Sequence, residues 1–466
     1  TAIVLAAGAG SRMRSSTPKI LHAVAGRPML RRVLDAVAAA GIGRRIVVLG
    51  PATIAARSIL NEHDGDHAEP DASDTGIAVA FQAEALGTAD AVRAAAGLTT
   101  ASQVMVLNGD LPLIQPQTLD ALRRTHEESG APLTLLAATV ADPAGIGRVQ
   151  RDQAGEVVAV VEERDATPEL RTVREINAGA YCFRGDWLWP HLEQIAPSPV
   201  SGEYYLTDLV RMAAAEGLRI AVVSAEEDEV RGVNTRAELA AAEAIARRRV
   251  RLRLMDEGVT LIDPQSAYVD EPVRLGRDSV IHPNTHLLGD TVIGVACELG
   301  PNTVIRSSQI GDNCRIVASM LEEAIVEDEV TIGPFSHLRP GASIGRGVEL
   351  GNYAEVKQSR LGAGTLMHHF GYIGDATIGG AVNVGAGTIT CNFDGRAKHE
   401  THVGDGAFIG SDTMLVAPVS LGDGARTGAG SVVTRDVEAG ILVAGVPAKP
   451  LHRTPASLSD KGEGLA

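Results

Sequence analysis

Residues 269–305 read VDEPVRLGRDSVIHPNTHLLGDTVIGVACELGPNTVI, and their spacing decides the architecture of half the chain. Aliphatic side chains stand at Val269, Leu275, Ile281, Leu287, Ile293, Leu299 and Ile305, each six residues from the last. An amphipathic helix would space them three and four apart, and a two-faced strand would alternate. A six-residue period, with one inward aliphatic and a turn residue nearby, makes flat sides of short strands. Three sides close a coil of about 18 residues, and coils stack through backbone hydrogen bonds into a parallel β-helix.

Working outward, the register slips at Ile310 and Ile316 and resumes from Val326 through Ile332, Leu338, Ile344, Leu350 and Val356. Leu361, Met367, Ile373, Ile378 and Val384 continue it. After the insertion TCNFDGRAKHE it returns at Val403, Ile409, Leu415 and Leu421, ending near Val433. Breaks in period predict protruding loops, and two of them, near 357–372 and 391–402, hold polar and ionisable residues.

At 466 residues the chain calls for two or three domains. A hydrophobic share of 45% and a charged share of 21% describe a globular protein. Few aromatics (3%) and 51 glycines suit a narrow coil. The net charge of −16 argues against nucleic acid and anionic membranes, so an anionic ligand must be met by local positive potential. Cys182, Cys297, Cys314 and Cys391 are scattered, without metal-site spacing, and read as reduced thiols of a cytoplasmic protein. The opening TAIVLAA lacks a basic leader and reads as a strand, and no apolar run is long enough to span a bilayer.

The front half alternates strand-like runs (AIVLAA, RRIVVLG, QVMVLNGD, LTLLAATV, RIAVVSA) with helical patterns at 28–40 and 88–97. That order predicts a Rossmann-like α/β sheet with ligands at the carboxyl ends of its strands. Residues 236–257 are rich in helix formers and read as a linker helix between a front domain (1–235) and the β-helix domain (258–466), whose polar tail from about 450 reads as disordered. The first strand runs into LAAGAGSRM (5–13), where glycines let backbone amides approach a phosphate, with Arg12 and Lys19 adding positive charge. The third glycine of a dinucleotide fingerprint and the GK[ST] of a P-loop are both absent. Alone, Lys19 would be an ordinary surface lysine. In VLNGDLPLI (106–114), Asp110 ends an apolar strand; with a second oxygen from Asn234 and ligand phosphates it would suit Mg²⁺. Asn234 by itself reads as a helix N-cap.

These segments resemble the sugar-1-phosphate nucleotidyltransferases. With the repeat domain added, the chain up to about 450 is similar to the bacterial bifunctional GlmU family. The resemblance rests on LAAGAGSRM…TPKILH, QAEALGTADA, NGDLPLI, GIGRV, VEERDAT, EINAG, EYYLTD and GVNTRAEL in front. Behind, it rests on LRPGA, GNYAEVKQS, HHFGYIGD, NVGAGTITCNFDG and FIGSDTMLVAP. It implies a GT-A-like nucleotidyltransferase domain followed by a left-handed β-helix. It also implies two reactions: acetyl transfer from acetyl-CoA to glucosamine 1-phosphate, then uridylyl transfer from UTP to N-acetylglucosamine 1-phosphate, supplying peptidoglycan and, where present, lipopolysaccharide synthesis.

Carried over by position, the resemblance places Leu5, Ala6, Ala7, Gly8, Arg12 and Lys19 on the nucleotide phosphates, with Lys19 and Arg12 aiding catalysis. Gln82, Gly87 and Thr88 would read uracil, and Asn108 and Gly109 would line the nucleotide. Gly147, Glu162 and Asn177 would hold the sugar, and Asp110 and Asn234 would hold Mg²⁺. In the rear domain His369 matches the general base. Arg339, Lys357, Tyr372, Asn383 and Lys398 match the glucosamine 1-phosphate site, and Ala386, Asn392, Phe393, Ser411, Ala429 and Gly445 match the acetyl-CoA site. A homotrimer built through the β-helices is implied, with CoA between neighbouring subunits. The sequence departs from the pattern at Ala9, where many members have lysine, at Phe393, often tyrosine, and at Gly445, near an arginine in some, with Lys449 as a candidate substitute. Two other classes fit parts of the chain: a single-activity nucleotidyltransferase of the ADP-glucose pyrophosphorylase type, whose β-helix only oligomerises or regulates, and a scaffold or carbohydrate-binding protein with a dead enzyme domain. Clustering of His369, Arg339, Lys357, Tyr372 and Asn383 argues against the first, and intact Asp110, Asn234 and Lys19 against the second.

Overall fold

The computed structural model describes residues 1–60 and 76–451, so all of the expected tail beyond Leu451 lies outside the described residues. The chain divides into two compact units, Thr1–Ala246 and Arg247–Ala466. The division falls inside the 21-residue helix Arg236–Asp256.

The front unit is built on strands β1 (Ala2–Leu5), β2 (Arg45–Leu49), β3 (Ile77–Phe81), β4 (Gln103–Asn108), β5 (Leu133–Thr139), β6 (Arg148–Arg151), β7 (Val157–Val161), β8 (Glu175–Arg184) and β9 (Ala221–Ser224). They lie in the order β9-β5-β8-β4-β1-β2-β3, with β6 pairing β8 and β7 off this path. β1 to β4 are mutually parallel where they pair, and β8 runs antiparallel to β4 and β5. Both faces are covered, so the central strands are apolar on both sides. Val4 and Leu107 face one core with Leu30, Val33 and Leu119, while Ile3 and Val106 face the other with Val92 and Leu209. β1, β2, β3 and β4 all end at one edge of the sheet, and the glycine loop, Gln82 and Asp110 follow their carboxyl ends.

The rear unit is a parallel β-helix with walls of twelve, ten and nine strands among the described residues. Inward residues stack in register: along the second wall Val269, Leu287, Ile305, Leu321, Leu338, Val356 and Ile373 pair in succession. All are at most 1% exposed, forming one continuous aliphatic core. Leu321 is the member that a strict six-residue count passes over. The sides ending at Ile310, Leu321, Val326, Leu361 and Ile378 have five residues, and each begins with a turn through a left-handed residue two positions after the preceding inward aliphatic: Ser307, Ala318, Glu323, Gln358 and Asp375. Six-residue sides make the same turn one position later, at residues such as Asp278, Asn284, Asn302 and Asn313.

This corrects one expectation. Residues 357–372 do not protrude, because the strands Ala354–Lys357, Ser359–Leu361, Leu366–Met367 and Gly371–Gly374 follow one another along the coil. The missing residue is absorbed at Gln358. The second break does leave the coil: between Cys391 and Thr401 the chain folds back on itself, with Phe393 bridging Lys398.

Many glycines that follow inward aliphatics answer a different demand. They are not at positive φ; a Cβ there would strike the next coil's backbone, as at Gly362, 2.5 Å from the carbonyl carbon of Gly379. Cys182, Cys297 and Cys314 are buried free thiols and Cys391 is half-buried. Among the described residues no helix is long and apolar enough to cross a membrane. Gly362→Ala should therefore cost about 1–3 kcal/mol through overpacking and lower the melting temperature of the rear unit. Gly43→Ala, where a Cβ meets nothing within 4 Å, should leave it unchanged. Equal melting curves for the two variants would refute this account of coil spacing.

Candidate active sites

In the front unit a cleft of about 340 Å³ opens at the strand ends, lined by Leu5, Ala6, Ala7, Gly8, Lys19, Gln82, Gly87, Thr88, Asn108 and Asp110, with Glu203 on its rim. Gly109 is fixed behind them by its N–H, which donates to the Leu5 carbonyl at 2.8 Å. At the centre, Lys19 Nζ meets Asp110 Oδ2 at 2.5 Å and donates to Asn234 Oδ1 at 2.9 Å. Residues 91 and 215 positions from Lys19 thus converge on one ammonium group. Gly10, in the left-handed region at φ +62, lies against the Lys19 stem; a Cβ there would sit 2.5 Å from Lys19 Cβ.

The helix-cap alternative for Asn234 falls to its neighbour. Thr235 precedes the helix, its Oγ1 accepts from the Glu238 N–H at 3.2 Å, and Glu238 Oε2 accepts from the Asn234 and Thr235 N–H groups at 2.8 and 2.7 Å. That reciprocal capping box leaves the Asn234 side chain for Lys19. Arg12 is exposed on the turn Ser11–Met13, beside the glycine loop.

Gln82 is buried, and its Nε2 donates to the Gly87 carbonyl at 3.1 Å and to Asp90 Oδ2 at 2.8 Å. Its carbonyl oxygen is the atom left to receive a ligand. The EYYLTD segment (203–208), to which sequence reasoning gave no role, forms this side of the cleft. Tyr204 exchanges backbone bonds with Leu86 and Ala89, Thr88 Oγ1 accepts from the Leu206 N–H at 3.0 Å, and any Cβ on Gly87 would strike the Tyr204 backbone at 2.5 Å. Thr207 Oγ1 then donates to Glu162 Oε1 at 3.1 Å. Gly147, Glu162 and Asn177 are brought together: the Asn177 N–H donates to the Gly147 carbonyl at 2.9 Å, and Gly147 packs on the Glu162 carboxylate. Asn177 Nδ2 donates to the buried Tyr181 hydroxyl at 2.6 Å, a partner that a motif alone does not reveal.

In the rear unit the candidate residues fall on two edges of the second wall. On one edge, His369, Ala386, Ser411 and Ala429 each stand two residues after the end of a first-wall strand, in successive coils, and Gly445 directly follows the next strand, Leu442–Ala444. Backbone bonds between Gly387 and Phe370, Asp412 and Ala386, and Gly430 and Ser411 tie the column together at 2.6–2.8 Å. Lys449 pairs with Ala444, which puts a cation beside Gly445. Asn383 lies in the first wall between Leu366 and Phe408. The adjacent histidines separate cleanly: His368 Nε2 meets Glu349 at 2.8 Å, whereas His369 is exposed and among the described residues has no hydrogen-bond partner.

The other edge carries the cations. Arg339 Nη1 donates to Glu355 Oε1 at 2.9 Å, and Glu355 pairs in register with Tyr372. Lys357 stands beside Lys398 and holds the Lys398 ammonium below its usual pKa, through side-chain hydrogen bonding and like-charge repulsion. Asn392 Nδ2 donates to Asp375 and reaches the Tyr372 hydroxyl at 3.5 Å. Within one chain, then, Asn392 and the exposed Phe393 are not on the edge that holds the rest of the proposed acetyl-CoA residues.

A family model described as MobA-like NTP transferase domain matches residues 2–185, and one described as Bacterial transferase hexapeptide (six repeats) matches 323–358 and 400–435. Among curated relatives, "Bifunctional protein GlmU" of Heliobacterium modesticaldum is 47% identical over 445 residues, covering 95% of this chain and 94% of the relative. That of Carboxydothermus hydrogenoformans is 44% identical (93% and 95%), and that of Pelobacter propionicus 44% (97% and 96%). The chain belongs to the GlmU family. It is a bifunctional transferase, with a nucleotidyltransferase unit in front and a left-handed hexapeptide-repeat acyltransferase unit behind.

Burial pushes the Glu162 carboxyl pKa up, against the opposing pull of the Thr207 hydrogen bond. A carboxyl raised in the folded state stabilises the fold below its unfolded pKa, and that stability is lost as pH rises through the folded value. Glu162→Gln should therefore raise the melting temperature at mildly alkaline pH, with the gain shrinking below the usual carboxylate range. A gain of equal size at both pH values would contradict the burial assignment.

Proposed function

We propose that this chain makes UDP-N-acetylglucosamine in two steps. The rear unit transfers acetyl from acetyl-CoA to glucosamine 1-phosphate. The front unit then joins N-acetylglucosamine 1-phosphate to the uridylyl group of UTP, releasing pyrophosphate. The observation that carries the reading is the convergence of Asp110 and Asn234 on Lys19 Nζ at the strand ends.

One carboxylate and one amide oxygen aimed at a single point, already holding a cation, suit Mg²⁺, which takes few protein ligands and completes its shell with water and phosphates. Asp110 and Asn234 would hold it, and when bound it would neutralise charge on the transferring phosphoryl group. Lys19, released from Asp110, is positioned for the nucleotide phosphates, together with the amides of Leu5 to Gly8. The Gln82 carbonyl oxygen suits the uracil N3–H, and Gly87 and Thr88 close over the ring. Gly147, Glu162 and Asn177 orient the acceptor sugar. Its phosphate oxygen attacks the α-phosphorus as the bond to pyrophosphate breaks, so the protein's work is alignment and charge compensation.

In the rear unit, His369 would take a proton from the attacking amine as the C–S bond of the thioester breaks and the thiolate of CoA leaves. Arg339, Lys357 and Lys398 suit the substrate phosphate, with Tyr372 and Asn383 on the sugar. The column of Ala386, Ser411, Ala429 and Gly445 leaves room for an extended cofactor. Because His369 and Asn392 stand on opposite edges of one wall, two copies side by side would complete the site, as the family's homotrimer implies. The substrates are cytoplasmic metabolites, and the product serves cell-wall synthesis.

Asp110→Ala should reduce UTP-dependent pyrophosphate release by at least about 100-fold and leave thiol release from acetyl-CoA intact. His369→Ala should do the reverse, by about 100-fold or more. If either variant, still folded, lost both activities, the two-site reading would fail.

A further inference from the structure

The three proposed sugar residues form one row across three strands. β6 pairs with β7 and β8 so that Arg148 faces Val161 on one side and Ile176 on the other. In antiparallel pairs one step back on a strand is one step forward on its partner. Gly147 therefore lies level with Glu162 and Asn177, and Arg148 belongs to the row directly beneath.

Arg148 is out of place there by composition. Its side chain is 1% exposed, although an arginine is almost never fully buried unless paired. Its partners are specific. The guanidinium donates to the carbonyl of Ile146, the residue before Gly147, and more distantly to the Arg171 carbonyl at 3.5 Å. It meets Glu163 Oε2, on the residue after Glu162, at 2.8 Å. Neither Glu163 Oε2 nor Arg148 Nε has a hydrogen-bond partner among the described residues. A buried guanidinium with its Nε left unpaired is poor as a stabiliser; an apolar side chain would fill the space at less desolvation cost. What it does achieve is a tie between the two chain segments that flank the sugar row.

We propose that Arg148 is a positioning residue for the acceptor. By linking Ile146 to Glu163 it fixes the gap between Gly147 and Glu162, and so sets the fit of the sugar 1-phosphate without touching it. The inference rests on the assignment of Gly147, Glu162 and Asn177 to the acceptor sugar. It assigns Glu163, 32% exposed, a supporting part that Glu162 does not share.

Steady-state kinetics of the full chain test it, with UTP and N-acetylglucosamine 1-phosphate varied in turn and acetyl transfer measured on the same preparation. Arg148→Lys keeps the charge but loses the two-pronged geometry. It should raise the acceptor KM by about tenfold, with the UTP KM and acetyl transfer unchanged. Glu163→Gln should move the acceptor KM in the same direction by about threefold. If Arg148→Lys does not fold, Glu163→Gln decides. An active wild type with no acceptor shift in either folded variant, or with equal shifts for acceptor and UTP, overturns the proposal alone. A wild type that forms no UDP-N-acetylglucosamine overturns the sugar assignment and the proposal with it.

Discussion

Neighbouring coils of the rear unit lie one strand spacing apart, about 4.8 Å, and every other feature of that unit answers to this distance. It requires the inward aliphatics to stack directly on one another, as Val269 through Ile373 do along the second wall. It leaves no space for a Cβ at Gly362 or Gly379. It also sets the vertical separation of the functional residues. Those on one corner stand in a column because the corner recurs at the same place in each coil. The walls supply the rigidity, and the corners supply the chemistry.

The front unit solves a different problem, bringing together residues that lie far apart in sequence. A parallel sheet ends its strands at one edge, so the glycine loop after β1, Gln82 after β3 and Asp110 after β4 become neighbours without further instruction. Asn234 needs more. Its backbone neighbour Val233 donates to the Asp110 carbonyl at 3.0 Å, and the Thr235–Glu238 capping box fixes where the helix begins. Lys19 occupies the meeting point and pairs with Asp110 there.

The six-residue spacing in 269–305 was enough to read the β-helix, because the period matches no other regular structure. What it could not show was how the period breaks. A slip of one residue looks the same on paper whether the chain bulges or the corner tightens, and only the left-handed backbone at Ser307, Gln358 and Asp375 distinguishes them. In the front unit the strand-end residues were legible from apolar runs that stop at Gly or Asp. Thr207 and Tyr181 went unread because their role comes from partners that the folded backbone supplies: Thr207 meets Glu162 across 45 positions, and Tyr181 meets Asn177 over a register shift within one strand. No local pattern records such meetings.

The corner column from His369 to Gly445 behaves as a graduated ruler, with one mark per coil. Its marks are about 4.8 Å apart, and a side shortened to five residues removes none of them. The length of a groove built along it can change only in whole steps. Gaining or losing an entire coil would move the far end by one mark and leave every remaining side chain facing as before. A change of one residue alters a corner and leaves the length untouched. In such a scaffold, reach and orientation vary independently, a separation that a sheet-and-helix domain does not offer.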